Sequence, residues 1–552
     1  MATYRGPEST RQLPTPTVDV DGTVRGKTTL SPTACKVRGR LEIPPIHVVP
    51  IILVPGIMGS NLRANADKKK LRNQELRDGE AAWRPPNGLV EGLGEADKWE
   101  TRTPEIRQKI LDGNTLEVDP NGSIEISSDA ATFGLTLGEA KSCGWGQIHS
   151  SSYGPLLRAL RKYFSNFFEC SSKEKILITE HWNRLNNFPR RYWDGEGVGA
   201  LKSFTVDELL KLAKFRYPVY ASGYNWLQSN ETSAKILQHR ILEIINYWNA
   251  VGQKCSGIVL VSHSMGGLVA RACAKGMPEK IIGVVHACMP DLGAPVCYRR
   301  ISCGTENSSP LNNEVENVGA EKFAVIAGVS ALETTPVMAF SAGALELLPN
   351  HRYPIPWLTI SNQENTDSSR KNLLTGNLYD LYLERDAWYR LFFKDIADPA
   401  NLHKGKVQQD YEATVNQARK FHQVILDDYY HHNTYAFYGA DGYKTSYGRI
   451  HWTYSSKENI LPDAFMRAKS VGEKFSSNRQ VQLPSGQIVK LELSRQDSGG
   501  DGTVPSVSGA GPKPYVKAIF GVRGFGHQDV FASERMQSLT IQLVARVILE
   551  KT

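Results

Sequence analysis

The chain has 552 residues, 41% of them hydrophobic, with a formal net charge of +8 and a pI near 8.9, so it can bury a large core. The basic residues are dispersed apart from short groups such as Lys68-Lys69-Lys70 and Arg190-Arg191 and follow no nucleic-acid-binding motif, which argues against nucleic acid as a partner. No apolar run is long enough to cross a bilayer, the start lacks the apolar core of a secretory signal peptide, and no His/Cys cluster has zinc-ligand spacing.

Residues 1–43 are rich in Thr, Pro, Arg and Gly without sustained periodicity and read as an extended N-terminal arm. From residue 44 to 552 the chain reads as a single interrupted domain. Pro50 to Ser60 predicts a buried strand running into a glycine turn. Residues 61–140 hold charged and turn-forming segments with little helical period and read as an insertion on the rim of a sheet. An amphipathic helix begins near Ser152, with Pro155 in its first turn. A second insertion spans 167–204, where Trp182, Tyr192 and Trp193 are expected in the core of a cap or along a lipid entrance. Arg216 to Ser222 is the next strand, and Asn230 or Thr232 caps a helix with apolar positions Ile236, Ile241, Leu242, Ile245 and Trp248.

The apolar run Ile258 to Val261 then predicts a strand, and Gly266 to Lys275 a helix, with Ser264 in the turn between them. A serine lifted on a sharp strand-to-helix turn is a nucleophile elbow, in which the residues two before and two after must be small. Here they are Ser262 and Gly266. Ala339 to Gly343 nearly fits the same pattern, but no buried strand leads into it. Ile281 to Cys288 is a further buried strand. Between 296 and 432 the alternation of strand and helix gives way to a large cap or lid, or to a structural excursion with its own small core, with helices expected near 317–332, 377–395 and 408–430. Cys297 and Cys303 are close enough in a loop to form a disulfide, while Cys255, Cys273 and Cys288 read as buried free thiols. Thr434 to Gly439 returns to a strand, Tyr515 to Val522 forms the last one, and a helix over Ser533 to Leu549 closes the chain. This alternation argues for an α/β class, with a mostly parallel, doubly wound sheet of the α/β-hydrolase fold and large cap insertions.

The order nucleophile, acid, base selects Ser264, Asp501 in the turn Gly499 to Pro505, and His527 after the last strand. His527 would act as general base, Asp501 would orient it, and the backbone N–H groups of Ile57 and Met265 would form the oxyanion hole. Asp497 and Asp291 are the rival acids. His263 points away from the serine hydroxyl, and His286 belongs to a core strand. No metal or cofactor is needed for this chemistry.

Val54-Pro55-Gly56-Ile57-Met58-Gly59-Ser60, Ser262-His263-Ser264-Met265-Gly266-Gly267, the Ser341 to Pro349 segment and Gly500-Asp501-Gly502-Thr503-Val504 together resemble lecithin:cholesterol acyltransferase-like lipases, with kinship to GPI inositol deacylases. Trp145-Gly146, Ser152-Tyr153-Gly154-Pro155 and Gly223-Tyr224-Asn225-Trp226 further resemble bacterial lipases of the type VI secretion effector kind. The resemblance implies a serine lipase or phospholipase A acting on membrane glycerophospholipids. It implies delivery to a target cell's periplasm without a signal peptide, a cognate immunity protein and a secretion-apparatus partner. Acyl transfer, a cytoplasmic carboxylesterase, and a catalytically silent lipid-binding or adaptor protein are the alternatives.

Overall fold

Seven short segments build the central sheet of the computed structural model, which describes residues 45–126, 135–170, 176–309, 311–364, 370–374, 376–458 and 460–551, together with strand pieces at 17–18 and 24–25. In chain order they are β1 (Ile51–Val54), β2 (Gly195–Glu196), β3 (Val219–Ala221), β4 (Ile258–His263), β5 (Ile281–Ala287), β6 (Thr434–Gly439) and β7 (Ala518–Val522). Their spatial order is β2-β7-β6-β5-β4-β1-β3. Every neighbouring pair is parallel except β2, which runs antiparallel to β7.

Every residue of β1, β3, β4 and β5 is buried, which explains why these strands read as continuous apolar runs rather than alternating ones. Helices cover both faces: α1 (Ser150–Ser165), α2 (Asn230–Ala250), α3 (Gly266–Gly276) and α5 (Glu534–Leu549), with α4 (Pro295–Cys303) outside the sheet. Ile51, Leu53, Val259 and Val261 share one core with Leu156 and Leu160 of α1 and with Leu539 and Leu543 of α5. Ile52, Val54, Ile258 and Leu260 share the other with Leu237 and Ile241 of α2 and with Leu268 and Val269 of α3. The chain is therefore an α/β protein. Because the strands are parallel, the turns that follow β1, β4, β5, β6 and β7 all gather at one end of the sheet.

Several local expectations change in three dimensions. The described residues of 61–140 include the helices Leu89–Glu100 and Pro104–Ile110, the start of a helix over Leu137–Ser142, and a three-stranded sheet centred on Leu62–Ala64. Gly92 and Gly94 lower the intrinsic helix propensity of the first helix, so its period is weak in the sequence. The 167–204 segment supplies β2 to the edge of the main sheet, and its tryptophans join the main-sheet core, Trp182 beside Phe164 of α1 and Trp193 hydrogen-bonded to Ser538 of α5. The α2 helix is capped by neither Asn230 nor Thr232. The Ser229 hydroxyl accepts from the Glu231 N–H at 3.1 Å, and the Glu346 carboxyl group accepts from the Asn230 N–H at 2.8 Å. Its apolar face is Leu237, Ile241, Ile244, Ile245 and Trp248, whereas Ile236 and Leu242 are exposed.

The excursion between β5 and β6 is joined by a second one between β6 and β7. Together they form a six-stranded sheet, in the order Lys371–Asn372, Leu358–Asn362, Ile450–Tyr454, Ile488–Leu493, Asn478–Gln482 and Lys469–Val471, around a third core containing Trp357, Trp388 and Trp452. Helices in the first excursion run Glu314–Ala327, Ala331–Met338, Leu378–Tyr382 and Val407–Lys420, the last continuing as a π-helical turn over Phe421–Leu426. The expected Cys297–Cys303 disulfide is absent, and both thiols are free. They lie six residues apart on α4, about 9 Å along its axis, beyond the reach of a disulfide. The arm 1–43 lies outside the described residues apart from Thr17–Val18 and Val24–Arg25, which pair antiparallel.

Candidate active site

The turn between β4 and α3 holds Ser264 at φ 52°, in the left-handed region that a serine adopts only under constraint. The Ser264 N–H donates to the Ala287 carbonyl of β5 at 2.9 Å, which ties the turn to the sheet. A Cβ at Gly266 would run into the Pro55 carbonyl, so the helix can leave the turn against β1 only through a glycine. The serine at 262, where a glycine is usual, is accommodated because Ser262 pairs across the ladder with His286 and its hydroxyl lies 2.7 Å from His286 Nδ1. Burial pushes the His286 imidazole down to about 3, so the ring is neutral. The near-match at Ser341 is a different structure, with a hydroxyl that caps the four-residue helix Ala342–Leu345 and donates to the Leu227 carbonyl.

His527 follows β7, and its Nε2 lies 2.9 Å from Ser264 Oγ while its Nδ1 lies 2.8 Å from Asp501 Oδ2. The His527 N–H also donates to the Asp501 carbonyl at 2.8 Å. Asp501 Oδ1 accepts the N–H groups of Thr503 and Val504 at 3.1 and 2.8 Å, which fixes the carboxylate and leaves Oδ2 for the histidine. The Asp501 side chain is 1% exposed and that of His527 11%, so the imidazole alone reaches toward solvent.

The rival acids are occupied elsewhere. Asp291 is held by Arg271 at 2.7 Å, by Arg352 at 3.0 Å and by the Tyr430 hydroxyl. Asp497 accepts from the Gly448 and Arg449 N–H groups and pairs with the Arg449 guanidinium. A small pocket lies beside Asp291, lined also by Arg271, Glu346, Arg352 and His422, and none of Ser264, Asp501 or His527 lines it.

Ile57 sits in the turn after β1. A Cβ on its neighbour Gly56 would lie 2.9 Å from Ser264 Cβ, so this turn packs directly against the serine. Met265 is the N-cap residue of α3, at the positive end of the helix dipole. The two backbone groups expected to bind an oxyanion thus flank Ser264 from two elements.

Three neighbours carry roles that their sequence positions do not reveal. The Tyr153 hydroxyl accepts from the Gly56 N–H at 2.9 Å and lies 3.0 Å from His263 Nδ1. Gln528 donates to the Ser152 hydroxyl at 2.6 Å, anchoring the histidine loop on α1. Cys288, at φ 54° after β5, has its thiol within 4.8 Å of the Asp501 carboxylate, and burial together with that negative charge raises the thiol well above the ordinary range. The Ser152 to Pro155 motif singles out this region, yet nothing in a linear chain says what its tyrosine touches. Among the described residues, Cys288, Asp501 and His527 are the group whose donor atoms lie close enough together, within 4.8 Å, to hold a metal. Two of the three already bond each other.

No protein-family profile and no curated protein sequence matches the chain. A solved structure does: the crystal structure of the Tle4–Tli4 complex, at 27% sequence identity and a TM-score of 0.71, covering 91% of this chain and 98% of that chain.

Proposed function

We propose that this chain is an α/β-hydrolase acting as a serine lipase or phospholipase A on membrane glycerophospholipids, and that it serves as a type VI secretion effector. The observation that carries the chemistry is the hydrogen-bonded line from Ser264 Oγ through the His527 ring to Asp501 Oδ2 at 2.9 and 2.8 Å. In this reading His527 Nε2 takes the hydroxyl proton as Ser264 attacks the ester carbonyl, and returns it to the leaving alcohol. Asp501 holds the Nδ1–H tautomer and stabilises the imidazolium. The N–H groups of Ile57 and Met265 receive the negative charge on the carbonyl oxygen, each worth on the order of a hundredfold in rate. Water then releases the fatty acid from Ser264.

The effector reading is supported by the likeness to Tle4, a type VI lipase effector crystallised in complex with Tli4. By that likeness a cognate immunity protein would bind this chain, and we further propose, from the effector reading alone, delivery to a rival cell's periplasm. The kinship with lecithin:cholesterol acyltransferase-like lipases rests on the motifs alone. Among the described residues no helix is long and apolar enough to cross a membrane.

The test is fatty-acid release from mixed phospholipid vesicles by the wild-type protein beside Ser264→Ala, with fluorophosphonate labelling of both. Release and labelling are expected from the wild type and lost in the variant at unchanged fold. Equal release from both would overturn the assignment of Ser264.

A further inference from the structure

We propose that Tyr153 and His263 are positioning residues, a two-link hydrogen-bonded chain that holds the Gly56–Ile57 turn and the His527 loop in one fixed relation to Ser264. The inference rests on the reading of Ser264 and His527 as nucleophile and base. The chain runs from the Gly56 N–H to the Tyr153 hydroxyl (2.9 Å), from there to His263 Nδ1 (3.0 Å), and from His263 Nε2 to the His527 carbonyl (3.1 Å).

The direction of every bond in it is dictated by its ends. The Gly56 amide can only donate and the His527 carbonyl can only accept. His263 must therefore carry its proton on Nε2, which leaves Nδ1 as acceptor for the tyrosine O–H. Every group in the chain is satisfied in that one arrangement and in no other tautomer. A proton on Nδ1 as well would turn a second donor on the tyrosine oxygen and leave the phenol hydrogen without this acceptor.

Three further observations fit a device that fixes position. Tyr153 is 1% exposed and His263 2%. The rings of Tyr153 and Phe531 enclose the imidazole, with centroids 5.7 Å from it in each case. A Cβ at Gly56 would come within 3.2 Å of His263 Nδ1, and one at Gly59 within 2.7 Å of the tyrosine oxygen, so the β1 turn is moulded onto this pair. The His263 and His527 rings are only 4.8 Å apart, and burial and that neighbour both keep His263 neutral. A neutral ring there lets His527 take up positive charge during acyl transfer without a second cation beside it.

The test compares His263→Gln, His263→Leu and Tyr153→Phe with the wild type in vesicle hydrolysis, each with its thermal midpoint recorded. Gln presents an N–H near the position of Nε2, whereas Leu fills the space and donates nothing. Loss of one positioning hydrogen bond predicts a fall in kcat of about tenfold for His263→Leu and for Tyr153→Phe with KM unchanged, and recovery of most of that loss in His263→Gln. A packing role predicts the reverse order, with apolar Leu tolerated and Gln harmful. Wild-type kcat in His263→Leu, or an equal fall in Leu and Gln, would overturn the proposal. If His263→Leu does not fold, Tyr153→Phe decides, and wild-type kcat in it overturns the proposal. Failure of the underlying reading is separate, since it shows as hydrolysis that survives Ser264→Ala.

Discussion

At the scale of single residues, the candidate site depends on how each carboxylate is engaged. Asp501 spends one oxygen on two backbone N–H groups and the other on His527, whereas Asp291 is balanced between Arg271 and Arg352. The two aspartates therefore make opposite predictions. Asp501→Asn should leave the fold intact and lower kcat by about 10⁴, because the amide favours the wrong histidine tautomer. Asp291→Asn should leave fluorophosphonate labelling of Ser264 at 25 °C close to wild type but destabilise the fold by about 3–5 kcal/mol, since it strands buried guanidinium charge. Labelling kinetics and urea denaturation of both variants measure this, and the opposite pattern would make Asp291 the acid.

At the scale of elements, the N-terminus of α2 is closed by a residue from a distant segment. The Glu346 carboxyl accepts from the Ser229 hydroxyl and the Asn230 N–H, both at 2.8 Å, and burial raises it to about 8. A folded-state value above the unfolded one means that the folded chain keeps a proton the unfolded chain has lost. Stability is then fully present below the unfolded value, near 4.5, and declines as pH rises through about 8. For one proton the slope approaches about 1.4 kcal/mol per pH unit in that window. Glu346→Gln should flatten this part of the stability profile, as measured by denaturant midpoints at pH 5, 6, 7 and 8. An unchanged slope would place the titrating group elsewhere.

At the scale of the whole molecule, the two excursions from the main sheet contribute a second sheet with its own core. Trp452 is fully buried there, 5.5 Å from Trp388, with the Arg479 guanidinium 4.7 Å over its ring. The Arg479 guanidinium also donates to the Trp388 and Ser302 carbonyls at 2.8 Å, which ties α4 to this sheet. Trp452→Ala should cost about 3–5 kcal/mol through the cavity it leaves. Labelling of Ser264 at low temperature should be unaffected, because Ser264 and His527 follow strands of the main sheet and Asp501 packs against the end of β6, where a Cβ at Gly439 would lie 2.5 Å from its own Cβ. A parallel loss of labelling in a variant that still folds would show that the second core also supports the site.

What was legible in the linear chain was whatever short-range pattern specifies. The apolar runs at Ile51–Val54, Ile258–His263 and Ile281–Ala287 had to be doubly covered strands, and a serine between an apolar strand and a glycine-led helix had to sit on a strained turn. The candidate acid, base and oxyanion turn were read from their order along the chain, and the structure places His527 within hydrogen-bond distance of both Ser264 and Asp501. Tertiary structure alone decided the rest, for the physical reason that the partners are far apart in sequence. Glu346 caps α2 across 116 residues, Tyr153 reaches His263 across 110, and Arg271 and Asp291 neutralise each other only because α3 packs against the turn after β5. The helix at Leu89–Glu100 was hidden by its glycines, and the expected Cys297–Cys303 bridge gave way to a helix that holds the two thiols apart. Periodicity and spacing carry information only over the reach of one element. Which hydrogen bond ends at which carbonyl is set by the packing of elements against each other.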